Sequence, residues 1–358
     1  MADDSNNSIK PATPTIVVGG EKNSSLELGL LSLLIVENTS GLYRCEALFG
    51  NWGTNESKTD FLYFDRNTLD FGKQFQIKLN ADVIFDGKIM AMEAHFPESR
   101  PPELNVLAED RFQDLRMTRR TRSFTDVSDK DVINQIANDH GLSPNVSVDG
   151  PTYKVLAQVN QSDLAFLRDR ARSIDAELWM EGNKLNAKSR STRNGGTLKL
   201  DFHAGLREFS ALADLAHQRT SVTVGGWNVS SKEALSFEAT EDAISSELNG
   251  DTSGASILNS AFGKRKEALV HTVPLSSRET QAEAEAYFKM SARRFVTGRG
   301  VAETTNDLRV GSYVDLRGLG PLFSGKYYLS EVRHLFDLRL GLRSEFTAER
   351  PGLGQPSG

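Results

Sequence analysis

The chain has 358 residues and a mass of 39.5 kDa, which at about 100 to 200 residues per domain sets an expectation of two to three domains. Its 42 Lys and Arg against 48 Asp and Glu give a formal charge of −6 and a pI near 5.7, which excludes the basic balance of a dedicated nucleic-acid binder, and no stable nucleic-acid complex is expected. With 38% hydrophobic and 25% charged residues the chain carries enough apolar material for a buried core, so general disorder is excluded as well. The single cysteine, Cys45, allows neither an intramolecular disulfide nor a cysteine-based metal cluster. The N-terminus, Met1-Ala2-Asp3-Asp4-Ser5-Asn6-Asn7, has no basic n-region or apolar h-region of an export signal. The most apolar stretch, 26–36, is too short to span a bilayer as a helix. Synthesis in the cytoplasm and no membrane span are therefore expected.

In chain order, residues 1–14 are Asp, Asn and Ser rich, end in Pro11 and Pro14, and read as a disordered terminus. A first β domain is expected over 15–123, completed by about 196–240. Its strands are short runs at 15–18, 31–37, 42–49, 74–80, 83–94 and 104–109, punctuated by glycines. Asp86-Gly87 between Val83-Ile84-Phe85 and Lys88-Ile89-Met90 predicts a hairpin turn. The segment 111–122 holds Arg111, Arg116, Arg119, Arg120 and Arg122 and no lysine. Rigid guanidinium forks suit hydrogen-bonded anchoring, so these arginines, Arg119 and Arg120 first among them, are expected to brace a domain or subunit boundary.

A small α/β insert is expected over 124–192. Ser128 with Asp131 caps a helix through 126–140 in which Val132, Ile133, Ile136 and Ala137 share a face, and Gly141 stops it. A second helix begins at Ser162, with Leu164, Leu167, Ala171 and Ile174 at helical spacing. Strands at 153–158, 177–180 and 184–187 complete the unit. β character returns at 198–203, 206–212, 218–227 and 236–238, and the Ser, Gly and Asn rich stretch 241–266 reads as a flexible loop. A second β domain with one helix is expected over 267–350. Ser276 and Glu279 cap its helix, 277–294, and 351–358 reads as a flexible tail. The fold class is thus mainly β with an α+β insert.

Catalytic spacing is absent. The six histidines include no i,i+4 pair for zinc, and no Gly-x-Ser-x-Gly elbow occurs. Phe262-Gly263-Lys264-Arg265 lacks the first glycine and the Ser or Thr of a phosphate loop, and Gly318-Leu319-Gly320 lacks the third glycine of a dinucleotide fingerprint. Asp163, Asp169, Asp175 and Glu177 are read as one capping residue and a solvated face, not as a glycosidase pair. No catalytic residue, cofactor or metal ligand is assigned. Trp52, Trp179 and Trp227 lie far apart in sequence and mark no aromatic patch.

Three segments carry a family resemblance. They are Ala108-Glu109-Asp110-Arg111-Phe112-Gln113-Asp114-Leu115-Arg116 running on to Ser128-Asp129-Lys130-Asp131-Val132-Ile133; Gln158 to Ala171 with Trp179 and the Gly182-Asn183-Lys184-Leu185 turn; and Val310-Gly311-Ser312-Tyr313-Val314-Asp315-Leu316 with Phe323 to Tyr328 and Val332-Arg333-His334. In this order they resemble the phage late control protein D family of baseplate hubs, similar to the hub part of the type VI secretion protein VgrG without its spike. The resemblance implies two tube-like antiparallel β-barrel domains. It also implies a homotrimeric ring adapting a hexameric inner tube to a separate trimeric spike, wedge proteins as further partners, and incorporation into a phage-tail-like particle. Leu319 and Phe323, in the turn 319–323, are expected with Arg119 and Arg120 at interfaces. A tail-associated cell-wall hydrolase and a solitary surface-binding β module are the alternatives.

Overall fold

The computed structural model describes residues 13–55, 58–229, 231–270 and 274–355. Of the expected disordered terminus and flexible tail, residues 1–12 and 356–358 lie outside the described residues.

The first unit comprises β1 (Thr15–Val18), β2 (Glu21–Lys22), α1 (Ser24–Gly29), β3 (Leu30–Asn38), β4 (Arg44–Gly50), β5 (Gly53–Asn55), β6 (Lys58–Asp60), β7 (Gln74–Leu79), β8 (Asp82–His95) and β9 (Glu103–Glu109). Alternation decides which face β4 and β7 bury. Cys45, Ala47 and Phe49 of β4 and Phe75, Ile77 and Leu79 of β7 point inward onto Ile16, Leu26, Ile35 and Val106. Each such aromatic or aliphatic side chain contributes roughly 1.5–3 kcal/mol by leaving water. The strands curl in the order β2-β1-β7-β8-β9-β4-β3.

The hairpin expected at Asp86-Gly87 is corrected: β8 runs unbroken through both residues, and the reversal lies at Asn80, which takes a φ of 56°. Gly87 serves a close approach instead. A Cβ there would stand 2.3 Å from the carbonyl oxygen of Glu109 on β9.

The insert follows through α2 (Phe112–Arg116), β10 (Arg119–Ser128), α3 (Asp129–Asp139), β11 (Ser143–Ser147), β12 (Thr152–Ser162), α4 (Asp163–Ser173), β13 (Ala176–Glu181) and β14 (Lys184–Ser189). It begins earlier than residue 124, because the arginine-rich segment is itself strand β10 and pairs antiparallel with β12. Ser128 and Asp131 form the expected capping box on α3, and Ser162 caps α4 by accepting from the Ala165 N–H. Val132, Ile133 and Ile136 pack with Leu164 and Leu167 between the β10–β12 ribbon and the sheet β11-β14-β13.

The last part holds β15 (Thr197–Phe202), β16 (Gly205–Ala213), β17 (Ser221–Asn228), β18 (Glu233–Ala239), a 3-10 helix (Glu241–Glu247), β19 (Thr252–Ser253), α5 (Gly254–Phe262), β20 (Lys266–Leu269), α6 (Ser277–Ala292), β21 (Val296–Ala302), β22 (Tyr313–Arg317), α7 (Gly320–Phe323), β23 (Gly325–Asp337), β24 (Gly341–Arg350) and β25 (Gly352–Leu353). Strands β15, β16, β21, β24, β23 and β22 close into a six-stranded barrel, with β15 and β22 parallel.

Three boundary expectations are corrected here. Residues 196–240 do not complete the first unit: Leu200 and Leu206 join the barrel core, while Val222 and Val224 pack β17, β18 and β20 against α6. The stretch 241–266 is not a loop, since Ser253 caps α5 by accepting from Ser256 N–H and Ala255 and Leu258 are buried. Within the expected tail, Gly352 and Leu353 pair with β19.

One seam joins the two β units. β3 and β23 pair antiparallel from Asn38–Glu331 to Ser32–Asp337, making a continuous thirteen-stranded sheet among the described residues.

Candidate assembly surfaces and the junction that positions them

Buried ion pairs lock the units in one orientation. Glu177 on β13 accepts from Arg193 Nη1 at 2.8 Å and from the Tyr328 hydroxyl of β23, and Arg190 stands 3.7 Å away. Arg190 also pairs with Glu349 of β24 at 2.5 Å. Arg193 lies 4.1 Å over Trp179 and donates through Nη2 to Tyr43 Oη of the first unit at 3.2 Å and to the Val310 carbonyl at 2.8 Å. Arg293, 2% exposed, forks between Asp175 at 2.8 Å and Glu247 at 2.6 Å. Glu37 of β3 accepts from Val310 N–H at 3.2 Å and pairs with Arg309.

Burial pushes the Tyr43 and Tyr328 hydroxyls well above the usual phenol value, so they stay protonated. Burial also pushes Asp110 up to about 7, although its oxygens accept from Tyr43 and Phe112 N–H groups at 2.8 and 2.9 Å. Asp175 and Glu177, expected on a solvated face, are thus the acids of this junction. Satisfied ion pairs of this kind hold geometry and leave no poised nucleophile.

The connector arginines act mostly within the insert. Arg122 donates to Gln158 at 2.8 Å, Asp139 at 2.9 Å and Asp163 at 2.8 Å, and Arg120 reaches Asp163 at 3.1 Å. His140 completes the ring around Asp163 at 2.8 Å. Burial works to raise the Asp163 pKa, yet His140, Gln158, Arg122 and Arg120 outweigh it and hold the carboxyl below the usual range. Arg119 is exposed, and among the described residues its side chain donates to the Asn160 carbonyl at 2.9 Å. Arg116 reaches back to Glu109 on β9, so it alone of these links the connector to the first unit.

Leu319 and Phe323 flank and end α7, where both pack half-buried against their own barrel core. The turn is tied down from two sides, since Gly354 N–H near the chain end donates to Leu322 O at 3.1 Å and the Tyr327 hydroxyl of β23 donates to Phe323 O at 2.8 Å.

A patch that sequence reading missed lies on the loops of the first unit. Trp52 packs edge-on to Phe61 at 5.1 Å, Phe61 stacks on Phe64 at 4.8 Å, and Phe96 closes the group, with Trp52 44% and Phe96 65% exposed. Asn51, fully buried, holds the loop by accepting from Leu62 and Tyr63 N–H groups at 3.0 and 2.8 Å. The aromatic density of 52–64, not the tryptophan spacing, was the available signal. Among the described residues no group of three or more His, Cys, Asp or Glu is placed to hold a metal, and no helix is long and apolar enough to cross a membrane.

Comparison with curated proteins by sequence finds no match. By structure the chain is similar to the 43 kDa tail protein of prophage MuSo2 from Shewanella oneidensis, at 11% identity and a TM-score of 0.68, covering 95% of this chain and 98% of that chain. A tail protein from Neisseria meningitidis MC58 gives 13% identity and 0.68, covering 96% and 98%. The E. coli c3393 protein, a component of the type VI secretion system, gives 12% identity and 0.56, covering 92% and 76%. At these identities the likeness is one of fold. By sequence, the model of the Alg8 N-terminal domain matches residues 13–337, and the chain belongs to that family.

Proposed function

We propose that this chain is a structural hub subunit of a contractile, phage-tail-like injection machine. Three copies would form a ring that joins a hexameric inner tube on one face to a trimeric spike on the other. The observation that carries the reading is the seam: a seven-stranded sheet and a closed six-stranded barrel are joined into one sheet through β3 and β23. Three such pairs of β units make six similar positions around a threefold axis, which is what a sixfold-to-threefold adaptor needs. The buried junction supports it, because an adaptor has to hold both units at one angle. The fold likeness to tail proteins and to a type VI secretion component points the same way. The proposed partners are further copies, a tube protein, a spike and wedge proteins, with assembly in the cytoplasm into the particle and no enzymatic step.

Light scattering of the purified chain, alone and with candidate tube and spike proteins from the same source, tests this. Three chain masses are expected, and a monomer that binds neither partner overturns it. One observation favours a second reading, a surface-binding module: the exposed Trp52, Phe64 and Phe96 packed around the half-buried Phe61. Replacing Trp52 and Phe96 by alanine would abolish cell-surface binding under that reading and leave hub assembly intact under the first.

A further inference from the structure

The chain has two Asn-Gly pairs, Asn194-Gly195 and Asn249-Gly250, and both are exposed. In such a pair the glycine nitrogen can attack the asparagine Cγ, because glycine has no Cβ to obstruct the approach. The N–Cγ bond forms, ammonia leaves, and water opens the resulting succinimide to aspartate or isoaspartate. Water is the sole co-reactant. The attack needs a glycine N–H that is not held and a backbone that can open locally.

The two pairs differ on that criterion. Gly195 N–H donates to the Gly311 carbonyl at 3.0 Å, and Asn194 Oδ1 accepts from Gly196 N–H at 3.0 Å. Gly195 also lies against Ser312, whose Oγ a Cβ would meet at 2.6 Å. Asn249 and Gly250 are instead the central residues of a turn closed by one bond, Asp251 N–H to Leu248 O at 2.9 Å, with φ of 51° and 90°. Two positive angles at the centre fit a type I′ turn. Among the described residues Gly250 N–H has no acceptor, and the Asn249 amide donates to Glu247 O at 3.0 Å.

This turn stands between the acids of two buried arginines. Glu247, before it, pairs with Arg293, and Asp251, after it, holds Arg350 by two bonds of 2.6 Å. Arg350 donates in turn to the Ser324 carbonyl at 2.9 Å, beside α7, while β19 pairs with β25. We propose that Asn249 deamidates and isomerises spontaneously in the folded chain, and that isoaspartate there loosens the hold of Asp251 on Arg350. The product lengthens the main chain by one methylene and adds a carboxylate between Glu247 and Asp251. Both changes work against a turn that spaces two acids onto two buried cations.

Peptide mapping by mass spectrometry, on the full chain incubated in mildly alkaline buffer, tests this against an unincubated control. Trypsin releases Asn194 in peptide 194–199 and Asn249 in peptide 233–264, where fragment ions separate Asn249 from Asn259. In the folded chain Asn249 should convert at least about tenfold faster than Asn194, because its turn opens locally. In urea, with both glycines freed, the two rates should agree within about threefold. Equal rates in the folded chain, or faster conversion of Asn194, would overturn the assignment. Hydrogen exchange reads the consequence. Gly354 N–H, which donates to Leu322 O, should exchange about tenfold faster once Asn249 has converted. Asn249→Gly keeps the positive φ and removes the reacting amide, so its exchange should stay constant through the same incubation. Conversion of Asn249 with unchanged exchange at Gly354, or an equal rise in Asn249→Gly, would overturn the link to Arg350.

Discussion

Acidification from pH 7 to pH 4 should loosen the seam between the two β units through His334. This side chain is fully buried on β23 opposite Ile35 of β3, with Nδ1 sharing a hydrogen bond at 2.7 Å with Ser344 Oγ and no partner for Nε2 among the described residues. Burial first, and the Arg309 charge second, lower its pKa from 6.5 to about 3. An unfolded chain therefore binds a proton on this ring between pH 6.5 and 3 while the folded one does not. The neutral-ring advantage is complete above the unfolded value and is lost as pH falls. At about 1.36 kcal/mol per pH unit, the cost relative to pH 7 reaches roughly 3 kcal/mol at pH 4. Asp110 acts with the opposite sign. Its folded pKa, raised to about 7, lets the native state hold a proton that the unfolded chain releases above about 4, so its contribution falls as pH rises through that window. The assay is urea unfolding at pH 7, 5.5 and 4 for the native chain and for His334→Leu, read as a difference so that Asp110 and the other acids cancel. The native chain should lose about 3 kcal/mol more than the variant between the extremes. Parallel pH profiles for the two proteins, or an NMR titration showing the His334 ring protonated at pH 5, would refute the reasoning.

Arg193→Ala should cost about 3–5 kcal/mol in denaturant unfolding, because it removes the nearest cation of the buried Glu177 and the bridge to Tyr43 and Val310; a loss below about 1 kcal/mol would show that the junction is not a brace. Among the connector arginines, Arg122→Ala should destabilise by about 2–4 kcal/mol and Arg119→Ala by about 0–1 kcal/mol, and the reverse order in thermal unfolding would contradict the hydrogen-bond assignment. Gly298→Ala and Gly300→Ala on β21 should each cost about 1–3 kcal/mol, since the new Cβ would meet Phe209 Cζ and Phe346 Cζ at 2.3 Å; unchanged melting would mean that these rings shift freely.

What the sequence determined by itself was local. The caps Ser128, Ser162 and Ser276 each satisfy an N–H three residues on, so three helices were legible from spacing alone and begin where those residues place them. Short β-rich runs likewise located β1, β7 and β9, and in β7 and β9 the one buried face writes its period into the chain. Where one residue type serves two purposes, local reading failed. Asp86-Gly87 has the composition of a turn, but Gly87 is there for the approach of the Glu109 backbone, a contact that depends on a strand arriving from elsewhere. The Ser-rich stretch after Glu241 looked unstructured because its polar composition hid the cap at Ser253 and the buried Ala255 and Leu258 of α5.

The assignment of strands to sheets was decided by the tertiary structure alone. β15 and β16 close the barrel, and do not extend the first unit, because Leu200 and Leu206 meet Tyr327 and Phe346, partners far along the chain. The candidate surfaces divide in the same way. The arginine run was visible, but that Arg122 is consumed by Asp163 while the exposed Arg119 donates to the Asn160 carbonyl follows from the pairing of β10 with β12. Glu177, Arg190, Arg193, Tyr328 and Glu349 carry no motif, since ion pairs between domains need only opposite charges that folding brings within about 4 Å, and nothing in a one-dimensional spacing records that distance.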